Sequence, residues 1–242
     1  MSVKAIKKSL LTYLPFDISL NQAYDRQTLK VIRKLADPSA AFIDVGCHKG
    51  EIMDWFIQCA PEGRHWGFEP IPYLYDALKT KYKDNPNITI LPFALSDQMG
   101  TTSFNLVVSN PAYSGILKRK YDKANEVDRS IEFEMRTLDS LMGENEKIKL
   151  IKIDVEGAEM LVLKGAVNTL KKCRPNVIFE HGLGASDYYG THPDDIYSYF
   201  EDLGYHLYTM DNWLNAKSFF TKEEFSKQFF QKINYYFIAT PN

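Results

Sequence analysis

No apolar run in the sequence approaches the roughly 18 residues that a membrane-crossing helix needs, so no integral membrane segment is expected. An excess of positive charge is also missing. The 29 Lys and Arg against 31 Asp and Glu leave a formal net charge of −2. No basic stripe is spaced for phosphates, which argues against nucleic acid as a partner, because polyanion binding needs many clustered cations. Cysteine is scarce. Cys47, Cys59 and Cys173 are widely separated and contain no C-x-x-C pair. That pattern fits reduced thiols in the cytoplasm and not a disulfide framework or a zinc site, and no metal is expected. Internal repeats and low-complexity segments are absent. Lys4, Lys7 and Lys8 precede a short apolar stretch interrupted by Pro15 and followed by no small-residue cleavage pattern, so the N-terminus reads as an amphipathic lead-in helix and not as a signal peptide.

What is present is an alternation of strands and helices in a chain of 242 residues, long enough to bury roughly 70–75% of its unfolded surface. Tyr24, Thr28, Val31, Ile32 and Leu35 recur at helical spacing until Pro38 stops the helix. Residues 1–38 therefore form a helical lead-in and residues 39–242 the main domain. "AAFIDV" is an apolar run ending at Gly46, the pattern of a strand covered on both faces. Ile52, Phe56 and Ile57 mark a helix, residues 66–69 a second strand, "PYLYDALKTKY" a helix and "NITILPFAL" a third strand. This order predicts a parallel sheet with right-handed crossovers.

The middle departs from the rhythm. "TTSFNLVV" and "SIEFEMRTL" read as strands paired at a sheet edge, the second with Ile131, Phe133 and Met135 alternating with Glu132, Glu134 and Arg136. The alternation resumes with strand "KLIKIDV", helix "EGAEMLVLKGAVNTLKK", strand "NVIFEHG" and helix "PDDIYSYFEDLG". "YHLYTM" and "NYYFIATP" then form an antiparallel terminal pair.

In an open parallel sheet, ligands bind beyond the carboxyl ends of the strands. Polar residues stand at those ends repeatedly: Asp44 before the loop from Gly46 to Gly50, Glu69, Ser96 with Asp97, Asp154 with Glu156, and Glu180 with His181. Glycines between a buried strand and a helix let a ligand approach the backbone and point free helix N–H groups at its negative group. A carboxylate ending the second strand can accept both hydroxyl hydrogens of a ribose. Glu69 has that place, with Pro70 beside it. A dinucleotide and an S-adenosyl group both carry the ribose. The G-x-x-x-G loop, which lacks the full G-x-G-x-x-G fingerprint, Asp44 just before it, and the terminal antiparallel pair favour the S-adenosyl group.

"FIDVGCHKGE", "FEPIP", "LPFALSD", "RTLDSL" and above all "IKIDVEGAEMLVLKGA" resemble successive motifs of the FkbM family of S-adenosylmethionine-dependent methyltransferases, over roughly residues 40–182. The resemblance implies an α/β class I methyltransferase fold: a Rossmann-like, doubly wound, mostly parallel seven-stranded sheet with its last strand antiparallel. It implies S-adenosylmethionine as cofactor, with Asp44, Gly46, Cys47, His48 and Gly50 around its methionine part, Glu69 and Pro70 at the ribose, Ser96 or Asp97 near the adenine, and Asp154 also in contact. It further implies methylation of a hydroxyl oxygen on a small-molecule or glycan acceptor. His48 departs from the asparagine common in the family, and both residues tolerate left-handed backbone. A nicotinamide-dependent oxidoreductase and a non-catalytic binding protein are the alternatives.

Methyl transfer to oxygen requires alignment and removal of the hydroxyl proton. The candidate bases are His181, whose unperturbed side chain titrates nearest neutrality, Glu156, Asp154 and Glu159. Asp154, Glu156 and His181 could alternatively ligate a divalent cation, without a spacing motif to support it. Glu159, in the first turn of a helix, also suits the helix dipole. Tyr188, Tyr189, Tyr197, Tyr199 and Tyr205 offer an acceptor platform or core packing, and Lys118, Arg119 and Lys120 offer contacts to an anionic acceptor or a solvated loop. The sequence does not define the oligomeric state.

Overall fold

The computed structural model describes residues 19–107, 128–143 and 146–242. The lead-in before Ser19 and the segment with Lys118, Arg119 and Lys120 lie outside these residues. The first helix, α1 (Leu20–Leu35), is capped by the Ser19 side chain and buries Tyr24, Thr28, Val31 and Ile32 at the expected spacing. Strand β1 (Ala41–Val45), helix α2 (Glu51–Cys59), strand β2 (His65–Phe68), helix α3 (Pro72–Tyr82) and strand β3 (Ile88–Leu91) follow in turn.

The third strand is shorter than the sequence suggests. Beyond Leu91, Pro92 offers no N–H for a ladder, and the chain leaves the main sheet. Ala94–Leu95 is β4 of a second, three-stranded sheet in the order β4-β6-β5, where β5 is Gly100–Val107 and β6 is Asp128–Arg136. The expected edge pairing is thus corrected: β5 and β6 pair antiparallel with each other, in this separate sheet. Phe133 and Met135 face a small cluster with Ile71, Leu74 and Ala94, while Glu132 and Glu134 face solvent.

After a short helix α4 (Leu138–Leu141), strand β7 (Ile148–Ile153) enters the main sheet. The single helix expected next is two, α5 (Glu159–Lys164) and α6 (Val167–Cys173). Gly165 joins them where a Cβ would lie 2.0 Å from the Ser96 carbonyl oxygen, so the helical pair and the β4 loop meet backbone to backbone. Strand β8 (Asn176–Glu180), a 3-10 turn (Ser186–Tyr189), helix α7 (Pro193–Asp202), strand β9 (Tyr205–Thr209), helices α8 (Met210–Leu214) and α9 (Lys222–Phe230) and strand β10 (Tyr236–Pro241) complete the chain. Helix α9 carries a capping box, Thr221 with Glu224.

The main sheet has the order β3-β2-β1-β7-β8-β10-β9. Strand β10 is antiparallel to both β8 and β9, and the other registers are parallel. Residues at β1 alternate between two apolar clusters, Ile43 and Val45 on one face with α5, α6 and α7, and Phe42 on the other with α1, α2 and α8. Helices therefore cover both faces, which explains why the central strands read as continuous apolar runs. Among the described residues no helix is long and apolar enough to cross a membrane.

Candidate active site

A central strand covered on both faces should be apolar throughout, and β1 and β7 depart from this at register partners, Asp44 and Lys152. Asp44 is fully buried, and neither of its carboxylate oxygens has a hydrogen-bond partner. Its nearest compensation is the Lys152 charge; burial pushes its pKa up and Lys152 only partly offsets that. Two buried acceptors without donors cost free energy unless a ligand or water satisfies them.

Directly after Asp44 the chain turns through Gly46 (φ +87°) and Gly50 (φ +77°). A Cβ on Gly46 would sit 2.0 Å from the Asp154 carbonyl oxygen, so the β1 and β7 ends touch through bare backbone. His48 has φ +49°, a left-handed conformation that histidine, like asparagine, tolerates better than most residues. No side chain caps the N-terminus of α2 at Gly50. Cys47 lies between the glycines but turns inward: its thiol donates to the Asp44 carbonyl at 3.3 Å, and its sulfur fills the space over Gly67, where a Cβ would approach it to 2.6 Å. Burial raises its pKa well above the ordinary thiol value, so it packs as a small apolar side chain.

Glu69 closes the loop from below. Its Oε2 accepts the His48 N–H at 2.7 Å and its Oε1 the Ile71 N–H at 2.9 Å, the latter spanning Pro70. Burial pushes its pKa up to about 7 against these two donors. Each oxygen retains a lone pair, enough to accept a vicinal diol. Ser96 is buried at the end of β4, its hydroxyl 3.2 Å from the exposed Asp97 carboxylate.

At the ends of β7, β8 and β10 lies a second group of ionisable side chains. Asp154 accepts from Lys152 Nζ at 2.9 Å and from the Tyr236 hydroxyl, and shares a hydrogen bond with Glu180. Burial works against its charge, yet Lys152 and these bonds hold its pKa below the usual range. The proton belongs to Glu180, raised well above the ordinary value by burial and by the charges of Asp154, Glu156 and Glu159. Lys152 is lowered by burial but raised more by Asp154 and Asp44, and so stays charged. Glu156 stands in a strained position, φ +60°, in the loop after Asp154.

Two expected bases are placed differently. Glu159 is buried, with Oε1 accepting the Val155 and Gly157 N–H groups at 3.0 and 3.1 Å, and so ties down the loop that carries Glu156. His181 is also buried, its Nδ1 at 3.0 Å from Ser186 Oγ and its ring stacked on Phe229 and Phe225. Burial lowers its pKa to about 4, away from the near-neutral value of an unperturbed imidazole. Tyr197, Tyr199 and Tyr205 donate to main-chain carbonyls of Phe220, Leu163 and Leu170 and are packing residues. Among the described residues no three His, Cys, Asp or Glu side chains are grouped to hold a metal ion.

The sequence profile of the methyltransferase FkbM domain matches residues 44–207, from the orphaned Asp44 to the middle of β9. The chain belongs to the FkbM methyltransferase family. It is 27% identical over 157 residues to the 2-O-methyltransferase NoeI of Sinorhizobium fredii, covering 60% of this chain and 65% of that protein. It is 27% identical over 180 residues to the hexuronic acid methyltransferase AglP of Haloferax volcanii, covering 71% and 66%. The chain thus spans about two thirds of the length of these curated relatives. A crystal structure of an FkbM methyltransferase from Methylobacillus flagellatus superposes with a TM-score of 0.51 at 16% identity, covering 98% of this chain and 59% of that one. The fold is that of class I methyltransferases.

Within this FkbM fold, the sequence placed Glu180 at a strand end but gave neither Lys152 nor Tyr236 as a member of the carboxylate cluster. A lysine inside an apolar strand was the available signal for the first; Tyr236 carried none beyond its strand.

Proposed function

We propose that the protein is an S-adenosylmethionine-dependent O-methyltransferase acting on a hydroxyl of a sugar or other small polyhydroxylated metabolite. The observation that carries this reading is Asp44, whose two buried oxygens await a donor at the mouth of a glycine loop, one strand away from a carboxylate suited to a diol. These residues fit an adenosyl amino acid. Asp44 would receive its ammonium directly or through water, the uncapped α2 amides behind Gly50 its carboxylate, Glu69 its ribose hydroxyls, and the Ser96–Asp97 corner its base. The cofactor supplies an activated methyl group on a sulfonium, and no metal is needed for that chemistry.

The chain's own work is orientation and proton removal. Asp154, kept ionised by Lys152 and Tyr236 and still 24% exposed at its side chain, accepts the acceptor's hydroxyl hydrogen. Glu156 is the second candidate, aimed by a loop that Glu159 holds in place. A positioned base contributes about 10²–10⁴-fold. Asp154→Asn should lower methyl transfer by that order. The relatives named for 2-O-methyl and hexuronic acid methyl transfer support oxygen on a sugar as acceptor. Incubation with ¹³C-methyl-labelled S-adenosylmethionine and an oligosaccharide panel, followed by NMR, tests the reading: an O-methyl signal is expected, and label found only on nitrogen or carbon would contradict it.

A further inference from the structure

An ionised carboxylate offers about four lone-pair positions, two on each oxygen. On Asp154 both positions of one oxygen are taken: Oδ2 accepts from Lys152 Nζ at 2.9 Å and from the Tyr236 hydroxyl. Packing holds both donors in place. Lys152 is the register partner of Asp44 in the middle of the sheet, and the Tyr236 ring lies 5.1 Å from that of Tyr24 and 5.9 Å from that of Tyr235. With Oδ2 filled, a further hydrogen can be received only on Oδ1.

Glu180 is the remaining neighbour. It pairs with Tyr236 across β8 and β10, and the residues just before Asp154 and Glu180, Ile153 and Phe179, are register partners across β7 and β8. The two carboxyl groups therefore stand side by side at adjacent strand ends, and they share a hydrogen bond. Ionised carboxylates only accept, so one member of a bonded pair must carry a proton. Asp154 has two donors to stabilise its charge, whereas Glu180 faces the carboxyl groups of Asp154, Glu156 and Glu159. The proton therefore sits on Glu180. A carboxyl group in that state cannot act as a base, but it can donate, and the position open to its hydrogen is on Oδ1. One lone pair of Asp154 is then left.

We propose that Glu180 is a positioning residue of the methyl transfer: held as the neutral acid, it donates to Asp154 Oδ1 and, with Lys152 and Tyr236 on Oδ2, leaves a single lone pair to receive the acceptor's hydroxyl hydrogen. The inference rests on the O-methyl transfer proposed above, with Asp154 as its base. In the step that Glu180 serves, the acceptor's O–H bond breaks with its electron pair staying on that oxygen, and the proton forms the Oδ1–H bond. The partly exposed side chain of Asp154 then returns the proton to water.

The test compares the wild type with Glu180→Gln, which keeps a donor but cannot titrate, Glu180→Ala, which removes it, and Tyr236→Phe, which keeps the ring and removes the hydroxyl. In wild-type protein labelled with ¹³C at the glutamate carboxyls, the NMR signal that Glu180→Gln deletes should be that of a protonated acid at neutral pH, with no cofactor added. Methyl transfer from S-adenosylmethionine to an oligosaccharide panel is then followed against pH. Glu180→Gln should keep kcat within a few-fold of the wild type, and Glu180→Ala should lower it by about tenfold to a hundredfold, the range of one hydrogen bond to a charged group. Glu180→Ala and Tyr236→Phe should also move the acid limb of the profile to higher pH, because Asp154 loses a donor to its charged form in each.

A Glu180 carboxyl that is ionised at neutral pH would overturn the inference whatever the activity. So would a Glu180→Gln enzyme as impaired as Glu180→Ala, which would make Glu180 a base, or a Glu180→Ala enzyme with the rate and pH profile of the wild type, which would make the pair structural only. A wild type that methylates no hydroxyl, although its Glu180 is protonated, would sink the methyl-transfer reading and this role with it. The two failures are told apart because the protonation of Glu180 is read without turnover.

Discussion

Glu69→Gln separates the charge of the loop-closing carboxylate from its shape. Burial shifts Glu69 from an ordinary 4.5 to about 7. At 1.36 kcal/mol per pH unit, that displacement corresponds to about 3 kcal/mol between its two protonation states. Because the folded pKa is the higher one, the folded chain holds the proton longer than the unfolded chain. The associated stability is fully present below the unfolded value, 4.5, and is lost as pH rises to about 7. Glutamine cannot titrate, but one of its two ends is an amide nitrogen facing either the His48 or the Ile71 N–H, a lost hydrogen bond worth about 1–3 kcal/mol. The variant should therefore be less stable than the wild type near pH 5, and the gap should close or reverse near pH 8, where the wild type has lost about 3 kcal/mol that the variant keeps. Urea unfolding of both proteins across this range measures the gap directly. A gap independent of pH would refute the reasoning, since other titrating groups such as Glu159 and Glu180 are common to both proteins.

Gly46→Ala places a methyl group 2.0 Å from a backbone oxygen at a positive φ, and should destabilise by at least about 2–3 kcal/mol in urea; a change within 0.5 kcal/mol would contradict the close approach of β1 to β7. Gly67→Ala should be rescued in part by Cys47→Ala, because the added Cβ meets the Cys47 sulfur at 2.6 Å, and a double-mutant cycle with no coupling would sink the packing role given to that thiol. His181 should remain neutral in ¹⁵N NMR spectra down to about pH 5, its pKa lying at about 4, whereas titration near 6.5 would return it to the list of candidate bases.

The legible parts of the fold were those in which every residue of an element serves one face or one core. Strands β1, β7 and β8 are buried on both sides and announced themselves as apolar runs; α1 displayed its buried stripe and β6 its alternation. What escaped depended on partners distant in sequence. The break of the long helix at Gly165 lies where the Ser96 loop meets α5 and α6, a contact that no local pattern encodes, whereas the break of "NITILPFAL" had a local signal in Pro92. The candidate site divides in the same way. Asp44, the glycine loop and Glu69 follow one another at strand ends and could be found by position alone. The burial of His181 between Phe225 and Phe229 comes from α9, whose capping box at Thr221 was readable but whose docking was not. The Asp154–Glu180–Tyr236 group is assembled by the antiparallel return of β10, so its chemistry emerges only with the sheet order.

The central claim is that the buried, unpartnered carboxylate of Asp44 and the paired carboxylate of Glu69 together receive an adenosyl amino acid. Calorimetric titration of S-adenosylhomocysteine into the wild type, Asp44→Asn and Glu69→Ala tests it most directly. The account predicts binding to the wild type and a loss of about tenfold or more in each variant, each removing a charge-assisted contact. Equal affinity in all three proteins, or binding of NAD⁺ in place of S-adenosylhomocysteine, would contradict it.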